Sequence, residues 1–332
     1  MMIIPARELI HGDCMEEMKY RIPNKSVNLI ICDLPYGRTK NEWDKPLDLK
    51  LLWTEYKRII ADNGVIVLFA DGMFMAELMQ SNKKMWKYNL VWDKVLTTGF
   101  LNARRMPLRR HEEICVFYHK HPAYNPQFTE GEPLHSKGVG YLTKKPTNRN
   151  YGDYVPRPDN RRGCTQKYPT SIIRFQKVHP SKAKHPTEKS IECLRWLIRT
   201  YSNPNDIVLD NCMGSGTTGV AAILEGRNFI GIEKDWNTFC LAETEIRKAA
   251  EEQYKKSVSC ITPNHGCLKC KYHDCEYEDN GYEDNLYHYC FGITVNHFEQ
   301  GYLESGGDFI EGFYHISDSC PSFKAKEGAD DE

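Results

Sequence analysis

The chain has 332 residues, 40% hydrophobic and 11% aromatic, enough to bury a sizeable core in one large α/β domain with appendages or in two domains. Its longest uncharged apolar run, residues 64–70, is far short of the roughly 20 residues a membrane span needs, and the opening MMIIPARELIHGD lacks a basic segment followed by a long apolar one. Membrane, collagen-like and largely disordered classes fall away, and with 13 cysteines read as reduced or metal-bound thiols, a soluble cytoplasmic protein is expected. The formal net charge of −1 hides an asymmetry: residues 261–332 hold 15 acidic and 4 basic side chains, a balance of −11, which leaves +10 on residues 1–260. A basic body with an acidic tail fits a protein that meets a polyanion with one part only, or charges simply spread over solvated surfaces.

Residues 27–33, Val-Asn-Leu-Ile-Ile-Cys-Asp, predict a short buried strand that ends in the turn Asp33-Leu34-Pro35-Tyr36-Gly37. Leu49, Leu52, Trp53, Tyr56, Ile59 and Ile60 recur at helical spacing, predicting a helix over residues 46–60 closed by Asn63-Gly64 in the left-handed conformation. Strands are predicted at 65–70, 90–92 and 114–118. From 121 to 180 the character changes: ten Lys/Arg oppose four acids, interleaved with seven Tyr/Phe and many Pro, Gly and Asn. Regular structure resumes with a helix over 191–200, a strand over 206–210, a glycine-rich turn entering a helix over 214–224, a strand over 228–233 and a helix over 236–252. Strands alternating with helices predict a doubly wound, mostly parallel α/β sheet.

Two strand-to-turn junctions carry the chemistry. In the later one, Asp210-Asn211-Cys212-Met213-Gly214-Ser215-Gly216-Thr217-Thr218-Gly219, glycines let the backbone turn tightly and approach a ligand, while the helix start that follows offers free N–H donors. Glu233, ending the next strand, suits the two hydroxyls of a ribose. The segment also satisfies G-x-G-x-x-G, so a nucleoside-type cofactor, a nicotinamide dinucleotide of an oxidoreductase and a plain structural turn all remain open. In the earlier junction Asp33 and the Leu34 carbonyl are acceptors matched to a group with two N–H donors, such as the exocyclic amine of a base, and Tyr36 is a flat face for stacking; an ordinary Pro-Tyr turn is the alternative.

Together the junctions resemble the DNA amino-methyltransferases that use S-adenosyl-L-methionine and act on N6 of adenine or N4 of cytosine, whose signatures are D-P-P-Y and a D-x-F-x-G-S-G-T type loop. The resemblance covers residues 8–248. Gly12-Asp13-Cys14 is similar to the family's N-terminal contact to the cofactor adenine. Trp92-Asp93-Lys94 and Arg110-His111-Glu112 look like its intermediate motifs, and Lys184-His185-Pro186-Thr187-Glu188-Lys189 like its H-P-T-x-K-P segment. Leu34 replaces a proline, Asn211 and Cys212 stand where Pro and Phe are common, and Ser190 replaces a proline. The order, with the D-P-P-Y element first, resembles the permuted β subgroup, which sets its target-recognition region between the two halves.

The resemblance implies a class I methyltransferase fold with a catalytic half (1–120), a recognition insert (121–180), a cofactor half (181–252) and an acidic Cys/His-rich tail (253–332). It implies catalysis by Asp33, Leu34, Pro35 and Tyr36. Cofactor contacts would come from Asp13, Cys14, His185, Thr187, Lys189, Asp210, Asn211, Gly214, Ser215, Gly216, Thr217, Thr218, Glu233 and Trp236. Lys144, Lys145, Arg149, Arg157, Arg161, Arg162 and Lys167 would meet DNA. An aspartate at the first motif position goes with adenine N6 in this family; methylation of cytosine N4 or of RNA, and a non-catalytic DNA-binding decoy, are the alternatives.

The tail has its own signal. Cys267-x-x-Cys270 is half of a tetrahedral zinc site that Cys260 and Cys275, or Cys290, would complete; otherwise these are free cysteines of a small acidic module. Its acidity argues against a grip on DNA and leaves a partner-binding or homodimer-capping role.

Overall fold

The computed structural model describes residues 7–37, 45–134, 161, 163–178 and 189–259. Arg7–Glu251 form one unit around an eight-stranded sheet. In chain order its strands are β1 (Arg7–His11), β2 (Val27–Cys32), β3 (Ile60–Ala70), β4 (Trp86–Thr98), β5 (Arg109–Tyr118), then β8 (Ile172–Arg174), β9 (Ile207–Asp210) and β10 (Asn228–Glu233), with a separate two-stranded ribbon of β6 (Thr129–Glu130) and β7 (Gln166–Lys167). The helices are α1 (Cys14–Arg21), α2 (Leu49–Ile59), α3 (Met73–Ser81), α4 (Ile191–Tyr201), α5 (Thr217–Leu224) and α6 (Trp236–Ser259). The strand order is β1-β10-β9-β2-β3-β5-β4-β8; the β3–β5 and β5–β4 pairings are antiparallel and the other five parallel. The expected mostly parallel α/β sheet is therefore the observed one.

Alternation along the strands explains the two layers of helices. Leu29 and Ile31 of β2, with Val65, Val67 and Phe69 of β3, face a core completed by Leu197 of α4, Ala221 of α5 and Ile246 of α6. Ile30 and Cys32, with Ile66 and Leu68, face the opposite core of Met18, Leu52, Tyr56 and Leu78 from α1, α2 and α3. Central strands buried on both faces read as unbroken apolar runs, which is why β2 and β3 were plain in the sequence. The edge strand β1 and the helices α1 and α3 were not: β1 has one fully buried residue, Ile10, among charged ones, and α1 is short.

One expectation is corrected. Asn63-Gly64 does not cap α2. The helix ends at Ile60, whose extended backbone already pairs with Val27; the ladder then skips to Leu29 opposite Val65. Gly64 lies in that irregularity and outside the left-handed region. It is required there by crowding: a Cβ would sit 2.9 Å from the Asn28 carbonyl oxygen and 2.7 Å from the Ile60 side chain. The β-branched Ile60 is drawn into the sheet in preference to a longer helix.

The insert is rooted in this unit at both ends. Asn125 donates its backbone N–H to the Thr200 carbonyl (2.8 Å) and its side-chain amide to the Arg199 and Ser202 carbonyls (3.1 and 3.0 Å), satisfying the end of α4. At the far end β8 pairs with β4, and the Trp92 indole donates to the Phe175 carbonyl at 2.8 Å. Residues 172–178 of the stretch that composition set apart thus pack on the main sheet. The tail beyond 259, with Cys260, Cys267, Cys270 and Cys275, lies outside the described residues.

Gly64→Ala should lower stability by about 1–3 kcal/mol in urea unfolding at unchanged m-value, the usual cost of overpacking. Gly64→Asn, which a left-handed cap would tolerate, should cost at least as much as Gly64→Ala.

Candidate active site

The parallel pairing of β2 with β9, Leu29 opposite Val208 and Ile30 opposite Leu209, makes both strands leave the sheet at one edge. The Asn28 side chain extends that pairing by accepting the Ile207 N–H at 2.9 Å. From β9 the chain crosses to β10 on one side, and from β2 to β3 on the other, so the two strands flank the topological switch point, where open α/β sheets form their ligand crevice. Both junctions singled out in the sequence open into it.

On the β2 side, Asp33 follows the last strand residue. Its Oδ1 accepts the Tyr36 hydroxyl at 2.6 Å, and the Tyr36 ring lies against Phe74 of α3 at 4.7 Å between centroids. Leu34 is buried. Asp33 Oδ2 lies 2.9 Å from the Lys189 ammonium, which is also 2.9 Å from Glu112 Oε2, while Glu112 Oε1 holds Lys94 at 2.9 Å. Four charged groups from β2, β4, β5 and the segment before α4 thus alternate in sign. Burial by itself would raise the Glu112 carboxyl, but Lys189 and Lys94 reverse this and hold it at about 2. Burial likewise works against the Lys189 charge, yet Asp33 and Glu112 leave its affinity for the proton above the ordinary value.

On the β9 side, Asp210 is buried and accepts the Thr218 hydroxyl at 2.7 Å and the Cys212 N–H at 3.1 Å. Burial nevertheless pushes its carboxyl up to about 6. Gly214 and Gly216 have φ of +51° and +79°, which only glycine takes without strain; a Cβ on Gly216 would strike Ala242 of α6, whereas the space around Gly214 is open to 4 Å. Glu233 accepts the Gly214 N–H at 3.0 Å and the Asp235 N–H at 2.9 Å. Beside it Trp236 stacks on Phe239 (5.8 Å) and meets His11 edge-on (4.9 Å), with 58% of Trp236 exposed.

The remaining sequence-derived positions sort themselves by geometry. Asp13 caps α1 through the Met15 N–H (3.0 Å) and pairs with Lys234 (3.0 Å). Asn211 is turned into the core, where its Oδ1 accepts the Tyr56 hydroxyl at 2.6 Å, and the thiols of Cys14 and Cys32 both interact with Cys212. Ser215 and Thr217 hydroxyls are 3.3 Å apart. In the insert, Arg161 stacks on Tyr168 at 5.0 Å and Lys167 pairs with Thr129 in the ribbon. Lys144, Lys145, Arg149, Arg157, Arg162, His185 and Thr187 lie outside the described residues. The sequence places Lys94 and Glu112 in segments similar to the family's intermediate motifs without giving either a site role, and sets Lys189 among the cofactor contacts; the structure sets the Lys189 ammonium on two carboxylates. The available signal was a lysine and a glutamate abutting the apolar runs of β4 and β5, where a charge survives only if paired.

Residues 27–244 match the family model N6_N4_Mtase, described as DNA methylase. The chain belongs to that family. Among similar proteins, the DNA adenine methyltransferase YhdJ of Escherichia coli is 30% identical over 245 residues, 69% of this chain and 78% of YhdJ. The type II methyltransferase M.HinfI of Haemophilus influenzae is 28% identical over 72% of this chain and 68% of its own. The crystal structure of the M1.HpyAVI–SAM complex is 25% identical with a TM-score of 0.47, covering 72% of this chain and 98% of that one.

The methylase should show the Glu112 pairing in its acid stability. A carboxyl held at about 2 when folded and near 4.5 when unfolded contributes about 3 kcal/mol above pH 4.5, lost as pH falls towards 2. Glu112→Gln should remove about that much at pH 7 in urea unfolding and flatten the profile between those pH values.

Proposed function

We propose that this methylase moves the methyl group of S-adenosyl-L-methionine to the N6 amine of an adenine extruded from DNA. The observation that carries the reading is the β2–β9 pairing, which sets an acceptor carboxylate, Asp33, beside a glycine turn backed by Glu233. The aspartate at the first motif position and the name of the E. coli relative support adenine.

The donor set fits the cofactor. Gly214 leaves open space at a backbone bend, Glu233 is a carboxylate suited to ribose hydroxyls, Trp236 exposes a ring suited to a base, and Asp210 is a buried carboxyl whose ionised form gains from a cation. When bound, S-adenosyl-L-methionine supplies a methyl group already activated by the sulfonium, so the protein need not form a covalent intermediate. Asp33 and the Leu34 carbonyl accept hydrogen bonds from the two N–H groups of the amine, which localises a lone pair otherwise delocalised into the ring. Tyr36, packed on Phe74, gives the extruded base a surface to stack on and offsets part of the few kcal/mol that extrusion costs. Lys189 holds the Asp33 oxygen that Tyr36 does not, Glu112 holds Lys189, and Lys94 holds Glu112.

Residues 121–180 serve as the recognition insert in this reading. Arg161 on Tyr168, Lys167 and the half-exposed Tyr124 and Phe128 are a basic, aromatic surface suited to nucleic acid.

Sequencing with base-modification detection of DNA from a host expressing the protein should return N6-methyladenine in one sequence context; N4-methylcytosine would overturn the assignment. Asp33→Ala should abolish transfer, by at least about a thousandfold in kcat, with cofactor affinity measured by calorimetry within about threefold of wild type. Affinity for S-adenosyl-L-methionine should be level above pH 6 and fall about tenfold per unit below it, because Asp210, titrating at about 6, loses the charge that attracts a cation. Asp210→Asn should remove that pH dependence.

A further inference from the structure

The turn between β4 and β5 contradicts the usual partition of side chains. Residues 99–108 read Gly-Phe-Leu-Asn-Ala-Arg-Arg-Met-Pro-Leu, with one 3-10 turn at Phe100–Asn102. Phe100 is 78% exposed, Leu101 83% and Met106 54%. Single exposed apolar residues are ordinary, but three large ones on one short turn mark a contact surface.

Charge indicates what the surface meets. Residues 94–111 contain four arginines and no acid. Arg109 pairs with Asp71 and Arg110 with Asp93 (2.7 Å), bracing the stem, whereas Arg104 and Arg105 are exposed and make no ion pair among the described residues. A cationic tip with apolar side chains between its charges suits a polyanion that carries flat apolar faces, which is DNA.

Position decides the role. β4 is antiparallel to β5, β5 to β3, and β3 is parallel to β2, so β4 runs in the same direction as β2 and its turn leaves the sheet at the edge where Asp33 stands. The stem also carries Lys94 and Glu112, the far members of the chain of charges that ends on Asp33. We infer that this turn is a wedge that opens the duplex: Arg104 and Arg105 hold phosphates while Phe100 and Leu101 enter the base stack next to the extruded adenine. Nothing in the reaction itself requires these residues. The inference rests on the proposed extrusion of the base.

The test compares the wild type and a Phe100→Ala/Leu101→Ala variant on two oligonucleotide duplexes of the context that sequencing returns, one with the target adenine paired and one with it opposite an abasic site. Both truncated side chains lie outside the core, and unchanged calorimetric affinity for S-adenosyl-L-methionine certifies the fold. The wedge predicts a loss of about tenfold or more in kcat/KM on the paired duplex and recovery to within about threefold of wild type on the abasic one. Equal activity of variant and wild type on the paired duplex, as expected if the tip serves a protein partner, overturns it. So does an equal loss on both duplexes. Arg104→Gln/Arg105→Gln should weaken binding to the paired duplex and reduce the slope of log affinity against log salt by about two; an unchanged slope removes these arginines from the contact. Failure of the wild type to methylate the paired duplex would instead refute the extrusion reading.

Discussion

Everything at the site depends on two parallel strands lying side by side. β2 and β9 are far apart in the chain, with Asn28 and Ile207 separated by 179 positions, yet they share a short ladder that the Asn28 amide lengthens by one bond. Parallel neighbours send their carboxyl ends to one edge, and oppositely directed crossovers part above them. Asp33 and the glycine turn are therefore joined by sheet geometry and not by a loop that folds over. The apolar runs that made these strands easy to read are the same runs that bury them on both faces and hold their ends still.

Asp33 is the end of a line of four alternating charges. An isolated buried ion is costly, and a buried pair roughly breaks even; a line of four, running from the crevice to the stem of the β4–β5 turn, spreads that cost over four segments of the chain. Its arrangement gives each Asp33 oxygen a donor before any substrate arrives, so the carboxylate cannot swing and its unused lone pairs have fixed directions. This is preorganisation in the electrostatic sense: dipoles and charges are set by folding and need not reorient as the amine approaches.

How much of this was legible beforehand follows from what each residue answers to. The strands β2, β3, β4, β5, β9 and β10, with α2, α4, α5 and the glycine turn, obey local rules of period and conformation and stand where the pattern sets them, whereas β1 and β8 carry no such pattern. Gly64 was misread because its reason is a carbonyl across the ladder in β2, which no local rule contains. Lys189 was read by resemblance to a motif; its partners Asp33 and Glu112 are 156 and 77 positions away in sequence, and only the fold brings them within 2.9 Å. Asn211 looked like a ligand contact but completes a hydrogen bond with Tyr56 in the core, a pairing across 155 positions. Local chemistry shows in the sequence, and long-range electrostatics does not.

The two pins of the insert have a consequence for how such an enzyme diversifies. Asn125 ties the departing chain to the end of α4, and Phe175 with β8 ties the returning chain to Trp92 and β4. The first attachment uses main-chain carbonyls of α4 and the chain just after it, the second the β4 backbone and the Trp92 indole, and neither depends on the side chains between Asn125 and β8. The segment between them can therefore lengthen, shorten or change its charge while the scaffold keeps its shape, a replaceable cassette held between two fixed pins.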